Sequence, residues 1–316
     1  MRGKNHAVYQ AAVRAYRAAF LGAFEKSSTA LVDARAFRLD GDASHVTEHF
    51  GTIDANGVPA LKDRREYGDI VWHSFDTEAA VHARGLKVKR DDMRQDRWGQ
   101  YLSIFRQHGR LMRTQQKHTL LDAIVAGFTT GRSYDGATHF STTHVTNSGA
   151  TWSNRLNLAL DEEAFEAGLA LLLGAPMPDG DIMAGQFDEL SVSLWVGPKN
   201  QANARRLVEA QINAAGASNV NFGRASVKLI PEFDPQNPKY AAYDDFWLLL
   251  AEPAGAPAPE FRPFTFLEPD MPELIDRMDP ADPEVFDDDH YRFGVRGNYG
   301  FGNRAPWMTV GSTGEA

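Results

Sequence analysis

The chain has 316 residues, 43% hydrophobic and 24% charged, the composition of ordinary folded protein and a length sufficient for two packed cores. It contains no uninterrupted apolar window near ~18 residues, no apolar core after "MRGKNHAVYQ" and no cysteine, so a spanning helix, a secretory leader, disulfides and thiolate chemistry are all unexpected. The net charge of −9 is uneven: residues 1–132 carry 21 Lys and Arg against 15 Asp and Glu, and residues 133–316 carry 12 against 27. The two halves therefore attract each other within a chain or across a subunit contact, unless these charges only solvate surfaces.

The first segment, "HAVYQAAVRAYRAAFLGAFEKSS", sets Val8, Ala12, Ala15, Ala19 and Phe20 near one stripe with Arg14 and Arg17 free for solvent, which predicts an amphipathic helix. Residues 30–50 lack such a stripe and read as an extended arm. From 51 to 90, turn signals give way to "DIVWHSF", where Ile70, Trp72 and Ser74 alternate with Val71, His73 and Phe75. That pattern predicts a two-stranded excursion too poor in core residues to be stable alone.

Between Met93 and Phe128 the residues Trp98, Tyr101, Leu102, Phe105, Leu111, Met112, Leu121, Ile124 and Val125 recur at helical spacing. They predict one long helix, or two in line, reaching about 50 Å, with Asp91 and Asp92 favourably placed at its positive start. After the "SYDG" turn a second helix is expected over Asp161–Leu173, then the loop "GAPMPDGD". A strand at "LSVSLWVGP" and a helix ending at Gly216 follow, with buried strands at "ASVKLIPE" and "DDFWLLLAE". "PAGAPAP" reads as a surface loop, and "DDDHYRFGVRGNYGFGNRAPWMTVGST" as strands with bulges.

Chemical motifs are sparse. Asp135, His139 and His144 lack the fixed spacing of a metal site, and a turn held by side-chain hydrogen bonds is the better account. Asp279, Asp282 and Glu284 lack the spacing of a calcium loop and read as a solvated acidic loop. The glycines of "GVRGNYGFG" have no strand-then-helix context, and neither a Walker lysine nor a GxSxG elbow occurs. No catalytic residue, cofactor or metal is expected.

Residues Arg90-Asp91-Asp92, Tyr101, Phe105, Gly109-Arg110, Leu120-Leu121, Gly127-Phe128, Tyr134-Asp135-Gly136 and His144 occur in the order found in the Mu-like phage major head family. Over Lys87–His144 the chain resembles that family. The likeness is looser at "LWVGPKNQANARRLVEAQ", "FWLLLAE" and "YRFGVRGNYGFG", and Val145 departs from the proline often found after the histidine.

The resemblance implies an α+β fold of the Hong Kong 97 phage capsid type. Its parts would be an N-terminal arm (1–50), an E-loop (51–90), a P-domain with a long spine helix (91–150), an A-domain (151–285) and C-terminal strands returning to the P-domain (286–316). It implies a major capsid protein that self-assembles as pentamers and hexamers, first as a procapsid, into the icosahedral head of a tailed phage or prophage. Assembly would take place in the bacterial cytoplasm. The implied partners are a separate scaffold protein, a portal, a possible decoration protein and packaged double-stranded DNA touched without specificity; no membrane is involved. The absence of a long charged helical prefix, and the start at Met1, fit a scaffold that is not part of this chain.

On this reading Phe20, Phe24, Trp72 and Phe75 are apolar contacts covered only by a neighbouring subunit, with Arg64 and Arg65 as charged contacts beside them. Lys62 falls where some shells of this fold form a covalent Lys–Asn link, which is not expected here. The alternatives are a nanocompartment shell that encloses enzymes and, from another class, a soluble hydrolase.

Overall fold

The computed structural model describes residues 2–27, 32, 36–39, 41–53, 69–94, 98–187, 189–212, 216–253, 261–279 and 283–314. In chain order these form α1 (Arg2–Lys26), β1 (Ala36–Leu39), β2 (His45–Ile53), β3 (Ile70–Glu78), β4 (Ala80–Lys89), α2 (Arg90–Arg94) and α3 (Trp98–Ala126). Then follow β5 (His144–Val145), β6 (Thr151–Trp152), β7 (Arg155–Leu156), α4 (Glu162–Leu173), β8 (Leu190–Val196), α5 (Pro198–Val208), β9 (Ser226–Leu229) and β10 (Trp247–Pro253). The chain closes with β11 (Phe264–Arg277), α6 (Pro283–Asp288), β12 (His290–Asn303) and β13 (Thr309–Ser312). Two compact units result: Met1–Val46 with Asp76–Ala123 and Thr265–Gly302, and Thr47–Phe75 with Ile124–Phe264 and Asn303–Ala316.

In the first unit a four-stranded sheet runs in the order β1-β11-β12-β4. Strands β12 and β4 are antiparallel from His290↔Lys89 to Tyr299↔Ala80, a register that sets Tyr291 opposite Val88 and Phe293 opposite Leu86 on the buried face. Helix α1 buries Ala12, Tyr16, Phe20 and Phe24, one residue per turn. Tyr16 stacks on Phe105 of α3 with centroids 4.3 Å apart, and both rings meet the edge of Phe293. The two helices touch at Gly109, where an added Cβ would stand 2.4 Å from the Phe20 carbonyl oxygen. Glycine is what lets the helix backbones approach this closely.

The second unit is built on a five-stranded sheet in the order β7-β13-β10-β8-β9. β10 is antiparallel to both β13 and β8, while β7 and β9 join the edges in parallel. Helix α4 packs on β10 and β13, and α5 on β8 and β9. Asp161 caps α4 by accepting from the Ala164 N–H at 2.7 Å, so the predicted start of this helix rests on a side-chain cap. The core includes Phe165, Leu169, Leu172, Leu194, Trp247, Leu249 and Val310. Trp247 donates Nε1–H to the Leu158 carbonyl at 2.8 Å, satisfying the polar end of a fully buried indole.

Three local expectations are corrected. Helix α5 ends at Val208, not Gly216, because Asn219 turns its amide onto the carbonyls of Leu207 and Ala210 and so satisfies acceptors that another helical turn would have used. Strand β9 is an edge strand, with Ser226, Lys228 and Leu229 exposed, where a buried strand was expected. Glu284 lies in the short helix α6, where an acidic loop was expected, and Asp282 lies outside the described residues.

Candidate assembly site

Strands β2 and β3 pair as a two-stranded ribbon, and the two-residue period of a strand gives this ribbon two unlike faces. In the second unit one face carries Phe50, His73 and Phe75. Phe50 stacks on His73 at 5.1 Å and lies 6.2 Å from Trp307, while His73 meets the edge of Tyr134 at 5.2 Å. Tyr134 and Trp307 are themselves an edge-to-face pair at 5.5 Å. Such pairs add about 0.5–1.5 kcal/mol each beyond the area they bury. Burial also lowers the His73 pKa, against the opposing effects of Asn147 and Asp135, so the ring in this cluster favours its neutral form.

The other face is bare. Ile70 is 58% exposed and Trp72 67% exposed. Gly51 makes room for both: a Cβ there would lie 2.8 Å from Ile70 Cγ2 and 3.4 Å from the Trp72 ring. Covering an indole and a sec-butyl group held side by side in water contributes roughly 3–6 kcal/mol.

Beneath Tyr134 lies a buried polar network in the same unit. Asp135 Oδ2 accepts from His144 Nδ1 at 2.8 Å and from the Val145 N–H at 3.0 Å, and its Oδ1 accepts from the Ala137 N–H at 3.1 Å. His144 Nε2 faces the His139 carbonyl at 3.1 Å. Both ring nitrogens thus face oxygen atoms within hydrogen-bond distance. Burial acts to raise the Asp135 carboxyl, but the hydrogen bond and charge of His144, with the N–H groups of Val145 and Ala137, outweigh it and hold the carboxyl below its usual range.

Asn154 completes the tie. Its amide donates to the carbonyls of His139 (2.8 Å) and Pro306 (3.0 Å), and its oxygen accepts from the Ser141 N–H at 2.8 Å. Thr309 donates its hydroxyl to Pro306 at 3.2 Å and so receives the Nε2–H of His139 at 3.0 Å. The His139 ring is fully buried, and desolvation, followed by the nearby His144, pushes its pKa down to about 3. Positions 134–154 and 306–309 are therefore joined by side chains where little regular structure joins them. The turn predicted around "SYDG" and His144 is present as such a hydrogen-bonded device.

The six proposed contact residues divide. Phe20 and Phe24 are 0% and 1% exposed against α3, and Phe75 is 5% exposed beside Phe50. Their own chain already covers them, so the expectation that they wait for a neighbouring subunit is corrected: α1 docks through its aromatic row, and Phe75 lies on the opposite ribbon face from Trp72. Trp72 is the open one. Arg64 and Arg65 lie outside the described residues, as does Lys62. Sequence reading missed Ile70 beside Trp72, although its even-numbered position on the same alternating strand places it there. It also missed Asn154, which no motif signals.

Among the described residues no group of three His, Asp or Glu side chains is placed to hold a metal ion, and no helix is long and apolar enough to cross a membrane. What the geometry offers is a ribbon anchored through Phe50, His73 and Phe75, with Ile70 and Trp72 exposed on its other face.

A family model described as phage capsid protein matches residues 74–308. No curated protein matches the chain. Among solved structures, the bacteriophage JBD30 procapsid is 14% identical with a TM-score of 0.56, covering 98% of this chain and 76% of that chain. The virus-like particle from Pyrococcus furiosus is 14% identical with a TM-score of 0.52, covering 95% and 98%. The capsid of cyanophage P-SCSP1u is 11% identical with a TM-score of 0.54, covering 90% and 88%. At these identities the likeness concerns the fold, which is α+β of the Hong Kong 97 capsid type. With residues 74–308 of 316 inside the family match, the chain belongs to the phage capsid protein family, and its role is that of a structural shell component and not of an enzyme.

Proposed function

We propose that the chain is the major capsid protein of a Mu-like tailed phage or prophage, assembling as pentamers and hexamers into an icosahedral head around double-stranded DNA. The observation that carries this beyond family membership is the ribbon of β2 and β3, aromatic and anchored on one face, with Ile70 and Trp72 bare on the other. A neighbour covering that face at every contact stabilises a closed shell through many repeats of one modest interaction, because heterologous contacts that close generate rings. In this assignment β3 belongs to the E-loop, α3 is the spine helix of the P-domain, and α4, β8, α5, β9 and β10 belong to the A-domain. Scaffold, portal and decoration proteins would be its partners.

Packaged DNA must not adhere to the wall, since extensive phosphate neutralisation would hold it there. The excess of Asp and Glu in residues 133–316 fits a weak, non-specific genome contact. Electron microscopy of the overexpressed protein, with and without scaffold, tests the shell: closed particles are expected, and a small oligomer at every concentration would overturn the reading. The near-complete mutual coverage with the Pyrococcus furiosus particle favours, as a second reading, a nanocompartment shell around protein cargo. Nuclease-protected DNA of genome length in purified particles decides for the head, and its absence beside packaged enzyme decides for the compartment.

A further inference from the structure

Two arginines of the first unit each clasp an aromatic residue. Arg113 of α3 sets its Cζ 3.8 Å from the ring centre of Phe24 and donates Nε–H to the Phe24 carbonyl at 3.4 Å. A cation therefore stands at the carbonyl end of α1, where the helix dipole favours it. Arg38 of β1 sets its Cζ 4.8 Å from the ring centre of Phe266 in β11 and meets Glu268 Oε2 at 3.1 Å. One clasp holds the last turn of α1, and the other holds a four-residue strand at the edge of its sheet.

Gln116 joins the two. Its Oε1 accepts from Arg113 Nη1 at 2.7 Å, and its Nε2 donates to Glu268 Oε1 at 2.5 Å. A guanidinium only donates and a carboxylate only accepts, so one orientation of the amide serves both. An apolar side chain would make neither bond, and a carboxylate would repel Glu268. Gln116 is 1% exposed and the Glu268 side chain 9%, surroundings in which a bond is stronger than in water and an unmade one costs more.

Each clasp alone is modest, since partly exposed ion pairs and cation–π contacts contribute about 1 kcal/mol or less. Linked through one buried amide they respond together. Loss of order at β1 shifts Glu268, releases the amide and loosens Arg113 on the end of α1, and the reverse follows by reciprocity.

We infer that Gln116 couples α1 and β1 into one strap that docks and opens as a single piece. The inference goes beyond the shell reading and does not depend on it, because Phe24, Arg38, Arg113, Gln116 and Glu268 all lie in the first unit of one copy.

Hydrogen exchange of the full-length protein, followed peptide by peptide in urea below global unfolding, tests it. Arg38→Gln removes the clasp on β1 and is expected to speed exchange about threefold or more in α1 as well as in β1. In a Gln116→Met background, which keeps the length of the side chain and makes neither bond, the same change is expected to speed β1 alone. Arg113→Gln gives the reciprocal reading, faster exchange at β1 with position 116 untouched. Melting curves check that each variant is folded, and should Gln116→Met fail to fold, the two arginine readings decide alone. A merely structural Gln116 would lower protection throughout the unit yet leave the response of α1 to Arg38→Gln equal in both backgrounds, which would overturn the inference. So would an α1 indifferent to Arg38→Gln, or a β1 indifferent to Arg113→Gln, in the otherwise unaltered chain.

Discussion

Asp135 and His144 meet through a 2.8 Å contact between Oδ2 and Nδ1, with their side chains 6% and 0% exposed. A buried pair of this kind adds little over a well-packed apolar pair, but removing one partner leaves a charge without compensation. Asp135→Asn is therefore expected to destabilise the subunit by about 3–5 kcal/mol, read as a lowered urea midpoint of dissociated protein. An unchanged midpoint would show that the pair is not ionised.

The same contact sets a pH dependence. Because the folded carboxyl of Asp135 titrates below its unfolded value near 3.8, its contribution is present at neutral pH and lost as pH falls through the folded value. The difference in stability between wild type and Asp135→Asn should then be constant from pH 7 to about 5 and shrink below about 4. Denaturation curves across that range check the sign.

Trp72→Ala and Phe75→Ala should separate assembly from folding. Trp72 is exposed, so its loss should change subunit stability by less than about 0.5 kcal/mol while lowering the yield of closed particles. Phe75 is buried, and its truncation should cost the subunit about 3–5 kcal/mol. Light scattering and thermal unfolding on the same preparations distinguish the two; equal effects on both readouts would remove the two-faced account of the ribbon.

Gly109→Ala tests the close approach of α1 to α3. In an exposed helix this change stabilises by about 1 kcal/mol, but here the new Cβ would fall 2.4 Å from the Phe20 carbonyl oxygen. A loss of stability is expected, together with faster proteolysis of α1. A gain would mean that the helices separate without cost.

Much of this fold is legible locally. The spacing of Tyr101, Leu102 and Phe105 specifies α3, Asp161 marks the start of α4, and the apolar run Trp247–Leu250 specifies a central strand. These signals lie within one or two turns or one strand, so sequence periodicity carries them. What covers Phe20 and Phe24 was not legible, because the gap that admits them is a single glycine on a helix more than eighty positions away. The mistake over Phe75 had a different origin: the alternation of "DIVWHSF" already puts it across the strand from Trp72. Asn154 could not be singled out, since its three partners are backbone groups of distant segments.

The cluster of Phe50, His73, Tyr134 and Trp307 has one more consequence. A ribbon seated on its own subunit arrives at a neighbour already oriented, so little conformational freedom remains to be surrendered when two copies meet. In the proposed shell, the aromatic side chains that anchor the ribbon on its own subunit would thereby raise the affinity of Ile70 and Trp72 for a neighbour, and weakening that seat should loosen the lattice from behind.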